Sequence, residues 1–120
     1  MKKSSTQIFL IFTLFLYECT PDKFNCDSWA EGYKNNTEFN IVYKSATRNG
    51  PLIYMYGTDL KTGEFVQRYE GSGWMSEIYT NFKPGDTIIK KRREYKTTVK
   101  WKKGSMIFPV KCGGQAYVDK

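Results

Sequence analysis

Short runs with a period of two recur along this chain after residue 38, each closed by a turn-forming cluster. Phe39, Ile41 and Tyr43 alternate with Asn40, Val42 and Lys44, the pattern of a half-buried strand. Leu52–Tyr56 is apolar on both faces and predicts a central strand. Phe65, Val66 and Tyr69 mark a third strand, and Thr87–Lys91 a fourth. Over Tyr95–Trp101, Tyr95, Thr97, Val99 and Trp101 share one face and Lys96, Thr98 and Lys100 the other. Met106–Val110 is apolar, and Pro109, which lacks a ladder donor, places it at a sheet edge or a bulge. Gln115–Val118 is the last candidate strand. The breaks are Ala46–Pro51 with its Asn-Gly-Pro, Gly57–Gly63, Lys83-Pro84-Gly85-Asp86, Lys102–Ser105 and the Gly113-Gly114 pair. Strands spaced this way predict a mainly β fold, a small antiparallel barrel or sandwich of about six to seven strands.

Trp74–Phe82 fits two templates. Trp74, Ile78 and Phe82 fall on one helical face, while Trp74, Ser76, Ile78, Thr80 and Phe82 also make a tolerable period of two. Ser72 offers a helix cap, which favours a short helix over residues 74–82 plugging one end of a barrel.

The N-terminal pattern is different. Lys2 and Lys3 precede the apolar run Ile8–Tyr17, the layout of an export signal over residues 1–19 and too short for a comfortable membrane span. Residues 20–36 are polar and read as a tether with at most one helical turn, leaving 37–120 as a single β-rich domain. Cys19 follows the apolar run directly and is a lipidation candidate. Leu16 fits the aliphatic position of a lipoprotein signal, whereas Tyr17 and Glu18 stand where small residues are usual. A membrane-anchored lipoprotein and a secreted protein are therefore both open. Cys26 and Cys112 then form the remaining pair, a disulfide in an oxidising compartment or else two free buried thiols.

Charge changes the picture further. The 120-residue chain has a formal net charge of +7, and Lys83–Lys103 holds nine Lys or Arg against Asp86 and Glu94. A solvated hairpin is the plain explanation; attraction to an anionic envelope component or protein partner is the functional one. Its candidate residues are Lys90, Lys91, Arg92 and Arg93, with Trp74 and Trp101 as aromatic companions. Nucleic acid is not expected as the partner of an exported chain. Within the same stretch, Gly85 supplies a turn and Asp86 accepts its backbone N–H groups, and Lys90 reads as solvent-facing.

The absence of histidine removes Ser-His-Asp and Cys-His catalysis and most zinc sites. No phosphate-binding loop is present, and no cofactor or metal is expected. The reading is a non-catalytic binding module. A partner-specific inhibitor or immunity-type protein is the alternative, and a small hydrolase using two carboxylates is a further one.

A signal ending at a cysteine, a small β-rich domain and the run Gly85-Asp86-Thr87-Ile88-Ile89-Lys90 together resemble a group of small uncharacterised lipoproteins predicted in Bacteroidetes. These share a Gly-Asp-Ser/Thr-Ile-x-Lys signature followed by a basic turn and a strand. The resemblance covers Trp74–Val110 and the N-terminal layout. It implies residence in the cell envelope and brings no activity with it.

Overall fold

The computed structural model describes residues 24–120. The export-signal reading of residues 1–19 and the lipidation candidate Cys19 lie outside the described residues.

Helix α1 spans Cys26–Asn36, where the sequence suggested a tether with one turn. Its ends explain why it forms. Asn25 is the N-cap and its side chain accepts the Ser28 N–H at 3.0 Å. Asp27 in the first turn and Lys34 in the last suit the helix dipole. Its apolar stripe is only a few residues wide, but Ala30 and Tyr33 are fully packed.

Six antiparallel strands follow: β1 (Phe39–Asn49), β2 (Leu52–Asp59), β3 (Phe65–Glu70), β4 (Thr87–Lys90), β5 (Lys96–Trp101) and β6 (Gly104–Pro109). Their order in the sheet is β3-β2-β1-β4-β5-β6. The sheet is thus two three-stranded meanders joined through β1 and β4, from Phe39↔Lys90 to Val42↔Thr87. The fold is mainly β and antiparallel as expected, but β3 and β6 do not meet, so the barrel stays open. A two-stranded ladder, β7 (Lys111–Cys112) and β8 (Gln115–Ala116), stands apart. Pro109 closes β6, an edge strand, in line with its missing donor.

Between the meanders, α2 (Trp74–Ile78) and a 3-10 turn (Tyr79–Asn81) realise the helical template. The Ser72 hydroxyl accepts the Trp74 N–H at 3.1 Å, with Gly73 at φ 93° as the N-cap. With no closed barrel to plug, α2 lies over β2. Together with α1 it covers one sheet face, and the core forms between them from Tyr33, Trp74, Met75, Ile78 and Phe82 against Ile41, Ile53, Met55, Ile88 and Val99.

The register makes this face continuous: Ile41 sits beside Ile88, Ile88 beside Val99, and Val99 beside Met106. A bulge between Tyr43 and Ser45 shifts the pairing of β1 with β2. Opposite Tyr43, Gly57 is required, since a Cβ there would lie 2.2 Å from the Val42 carbonyl oxygen. Cys26 and Cys112 are bonded, with Cα atoms 5.5 Å apart, tying the start of α1 to β7.

Candidate functional site

The Gly85-Asp86 turn forms as the sequence suggested. Gly85 has φ 95°, and the Asp86 carboxylate accepts the Lys83 N–H at 2.9 Å. Its backbone is fastened to the bulge of β1: Tyr43 donates to Asp86 O at 2.7 Å, and Gly85 donates to Tyr43 O at 2.8 Å.

Lys90, at the other end of β4, corrects the expectation of a solvent-facing side chain. It is only 1% exposed. Pairing with Phe39 sets it on the core face, two residues from Ile88 and beneath the end of α1. The last carbonyls of a helix lack intrahelical donors and carry the negative end of its dipole. The Lys90 ammonium fills that role, donating to Lys34 O at 3.1 Å, Thr37 O at 3.0 Å and Lys91 O at 2.5 Å. It also lies over the Tyr33 ring, 5.0 Å from its centre. Burial lowers its pKa to about 8, although the carboxylates of Asp119, Glu94, Glu70 and Glu38 pull the other way. Next to it, the Tyr33 and Thr97 hydroxyls share a hydrogen bond of 2.5 Å, and burial pushes the Tyr33 phenol up. This cluster fastens helix to sheet and leaves no cation free for a partner.

The rest of the basic turn is exposed but not unopposed. Arg92 Nε lies 3.8 Å from a Glu38 carboxylate oxygen, and Lys96 Nζ 3.6 Å from that of Glu94. Arg93 adopts φ 69° and donates its backbone N–H to Lys34 O. Trp74 is buried in the core at 7% exposure, so it is no companion to these cations. Trp101 is 42% exposed but stands at the far end of β5 from Lys96. Five steps along a strand put it roughly 17 Å from the basic turn. The structure therefore separates the candidates: Lys91, Arg92 and Arg93 stay together, Lys90 and Trp74 turn inward, and Trp101 lies elsewhere.

Trp101 belongs to a different constellation. Antiparallel strands reverse direction, so the turn before β4 and the turn after β5 fall at one end of the sheet. There Val99, Trp101, Met106 and Phe108 floor a cleft of about 530 Å³, with Lys83, Lys102 and Lys103 around it. Phe108 packs edge-on against Phe82, 6.3 Å between ring centres, and Phe82 does the same against Tyr43 at 5.6 Å, so the floor is anchored to the core. Asp86 also lines the cleft, but its carboxylate is engaged by the Lys83 N–H. The cleft thus combines an apolar floor with positive charge. Lys83 did not stand out beside Lys102 and Lys103 because it lies 19 to 20 positions before them; their signal was that two lysine-bearing turns, KPGD and KKGS, flank the same pair of strands.

Two other surfaces compare less well. An open recess of about 830 Å³ beside Trp29, Trp74 and the disulfide sets Arg48 and Lys111 against Glu77, a smaller positive excess than three lysines against Asp86. The outward face of β2 and β3 shows Tyr54 and Tyr69 with ring centres 5.3 Å apart, and Phe65 under the Lys44 ammonium at 5.3 Å.

Among the described residues no group of three or more His, Cys, Asp or Glu is placed to hold a metal ion, and no helix is long and apolar enough to cross a membrane. No protein-family model matches the chain, and no curated protein or solved structure matches it significantly.

Proposed function

We propose that this protein is an exported, non-catalytic binding module that takes an anionic partner in the cleft at the Trp101 end of its sheet. The observation that carries this reading is the union of Lys83, Lys102 and Lys103 with the apolar floor of Val99, Trp101, Met106 and Phe108. Lysines supply long-range attraction, while an apolar, aromatic floor gives a bound group contact area that water cannot replace. The sequence pointed to the turn at Lys90–Arg93, but Lys90 is buried there and Arg92 is paired with Glu38, whereas Lys83, Lys102 and Lys103 make no ion pair among the described residues and border an apolar floor. The Cys26–Cys112 bond supports export, since disulfides persist in oxidising compartments. The resemblance to envelope lipoproteins supports anchoring through Cys19.

The test is retention on immobilised polyglutamate and polygalacturonate. Binding carried by the cleft should weaken steeply between about 50 mM and about 300 mM salt as the Debye length shortens. A triple substitution, Lys83→Gln with Lys102→Gln and Lys103→Gln, should abolish retention and leave thermal unfolding unchanged. Retention that ignores salt, or that survives the triple substitution, would sink the reading.

A second reading, a partner-specific inhibitor, rests on the Phe65–Tyr69 face, where Phe65 is 60% and Tyr69 57% exposed. Such a partner would be salt-tolerant, and its binding would be lost with Phe65→Ala and Tyr69→Ala while the lysine variant kept it.

A further inference from the structure

Strand β6 borders the cleft, and its own outer edge is unpaired among the described residues. Its backbone polarity can be read from the ladder. Val110 donates to Tyr95 O at 3.2 Å, so the pair Tyr95 with Val110 is hydrogen-bonded. Antiparallel pairs alternate between hydrogen-bonded and non-bonded. The next pair, Lys96↔Pro109, is then non-bonded, which is why a proline fits there. The alternation continues: Phe108 and Met106 bond to β5, whereas Ser105 and Ile107 turn their N–H and C=O groups outward. Gly104 to Ile107 are all exposed, with Met106 at 49% and Ile107 at 54%. No proline or inward-pointing charge blocks the edge before Pro109. Proteins usually blunt such an edge.

We propose that the free edge of β6 accepts an extended acidic peptide as an added antiparallel or parallel strand. This deepens the anionic-cleft reading and rests on it, by naming the ligand as a peptide. Three observations converge. The unpaired groups of Ser105 and Ile107 supply main-chain bonds, as in other cases of strand addition. A strand laid beside β6 sends alternate side chains to the face where Met106 and Phe108 floor the cleft, so apolar side chains of the peptide enter it. Its other side chains rise on the opposite face, two strand spacings, roughly 10 Å, from Lys100. Only the small Ser105 stands between them, because Ser105 pairs with Lys100. A glutamate and a lysine reaching toward each other span that gap, and Lys102 and Lys103 flank the strand's end. A second copy of the chain fits worse. Antiparallel pairing of two β6 strands about a two-fold axis would set Lys102 and Lys103 of each copy near Lys111 of the other.

The experiment uses the intact oxidised protein and a labelled seven-residue peptide alternating glutamate with valine, phenylalanine and valine. Binding is read by anisotropy, and amide hydrogen exchange is read residue by residue. The expected result is saturable binding with exchange at Ser105 and Ile107 slowed by about tenfold or more, a shift of about 1.4 kcal/mol in local opening. N-methylation of alternate peptide nitrogens should abolish binding in one phase and spare it in the other. Ile107→Pro, which removes an outward donor, should weaken binding by about tenfold or more; the methylated peptides carry the same test should that variant not fold. If the peptide binds without protecting Ser105 and Ile107, or if methylation is harmless in both phases, strand addition is overturned while the cleft stands. If polygalacturonate binds and the peptide does not, the partner is a polysaccharide and the proposal is again overturned. If concentration-dependent dimerisation protects the same amides without peptide, the edge serves self-association instead. If nothing anionic binds, both readings fall.

Discussion

Replacing Lys90 by methionine keeps the length of the side chain and removes its charge and donors. The consequence follows from which carbonyls keep a partner. Lys34 O still accepts the Arg93 N–H at 2.8 Å, and Lys91 O still accepts the Glu94 N–H at 3.3 Å. Thr37 O loses the donor that Lys90 supplies at 3.0 Å. One buried acceptor left without a partner costs about 1–3 kcal/mol, and two charge-assisted bonds are lost besides. Against this, methionine avoids burying an ammonium and fills the same space with apolar atoms. The balance is a loss of about 2 kcal/mol at neutral pH, read as a lower urea midpoint with the disulfide intact. The pH dependence gives a sharper readout. With a folded pKa of about 8 against an ordinary 10.5, native Lys90 sheds its proton first as pH rises. Between those values the unfolded chain binds more protons, so stability rises with pH, by at most about 1.4 kcal/mol per unit for one proton. Below the folded pKa the full burial cost is present and the slope from this group vanishes. Tyrosines act in the opposite sense. Tyr33 and Tyr43 are pushed above 10.0 by burial, and Tyr117 is raised to about 12 by its bond to Asp27, so stability falls once pH passes the unfolded phenol range. Wild type should therefore be most stable in the alkaline window near pH 9 to 10, and Lys90→Met should lack the rise on its acid side. A variant as stable as wild type at pH 7, or one that keeps the rise, would refute the capping role assigned to Lys90.

Other perturbations separate the parts of the structure. Reducing the Cys26–Cys112 bond, which closes a separation of 86 residues, should cost about 4–5 kcal/mol in the chain-entropy model; a shift in urea midpoint worth under about 1 kcal/mol would show that α1 and β7 dock without it. Gly57→Ala should destabilise by about 3 kcal/mol or more, because the Val42 carbonyl 2.2 Å from the new Cβ is backbone and cannot swing aside, and thermal unfolding measures it. Asp86→Ala should cost about 1 kcal/mol by freeing the Lys83 N–H, with calorimetry as the check. Arg92→Gln with Lys91→Gln should leave retention on polyglutamate nearly unchanged at matched salt; a loss as large as that from the triple substitution of Lys83, Lys102 and Lys103 would return the binding role to the basic turn.

Most strands were legible from alternation or from short apolar runs closed by turn residues, although β1 runs on through Ala46–Asn49, where a turn was expected, and Pro109 narrowed β6 to an edge or a bulge, of which the structure shows the edge. Once Cys19 was assigned to the export signal, cysteine number left Cys26 and Cys112 as a disulfide or two free thiols, and the structure shows the disulfide. Helix α1 was not. Its stripe is Trp29, Ala30 and Tyr33 within a polar run, too short for a periodicity to stand out, and its decisive partners, Thr97 and Lys90, lie 64 and 56 positions from Tyr33 and Lys34. Lys90 was misjudged for a related reason. A strand of alternating residues tells which side chains share a face, and Ile88 and Lys90 do share one. Ordinary expectation turns a lysine outward, and only the end of a helix placed above it makes the inward position favourable. Topology hid the cleft in the same way, since the sequence shows one basic stretch and the sheet divides it between opposite ends.

That division bears on how the molecule could change its partner without losing its fold. At one end of β4 and β5, Lys90, Tyr33 and Thr97 are committed to holding α1 on the sheet, and substitutions there are felt as stability. At the other, Lys83, Lys102 and Lys103 make no ion pair among the described residues, and Trp101 and Met106 are partly open to water. Sites separated by more than about 10 Å with no shared partner contribute additively. The roughly 17 Å of strand between these ends satisfies that condition. Combining Lys90→Met with the triple lysine substitution should therefore give the sum of the separate effects on stability and no more loss of anion retention than the lysines alone. A deviation of more than about 0.5 kcal/mol in stability would mean that the strands transmit strain from the buried ammonium to the cleft, and that the two ends are one site.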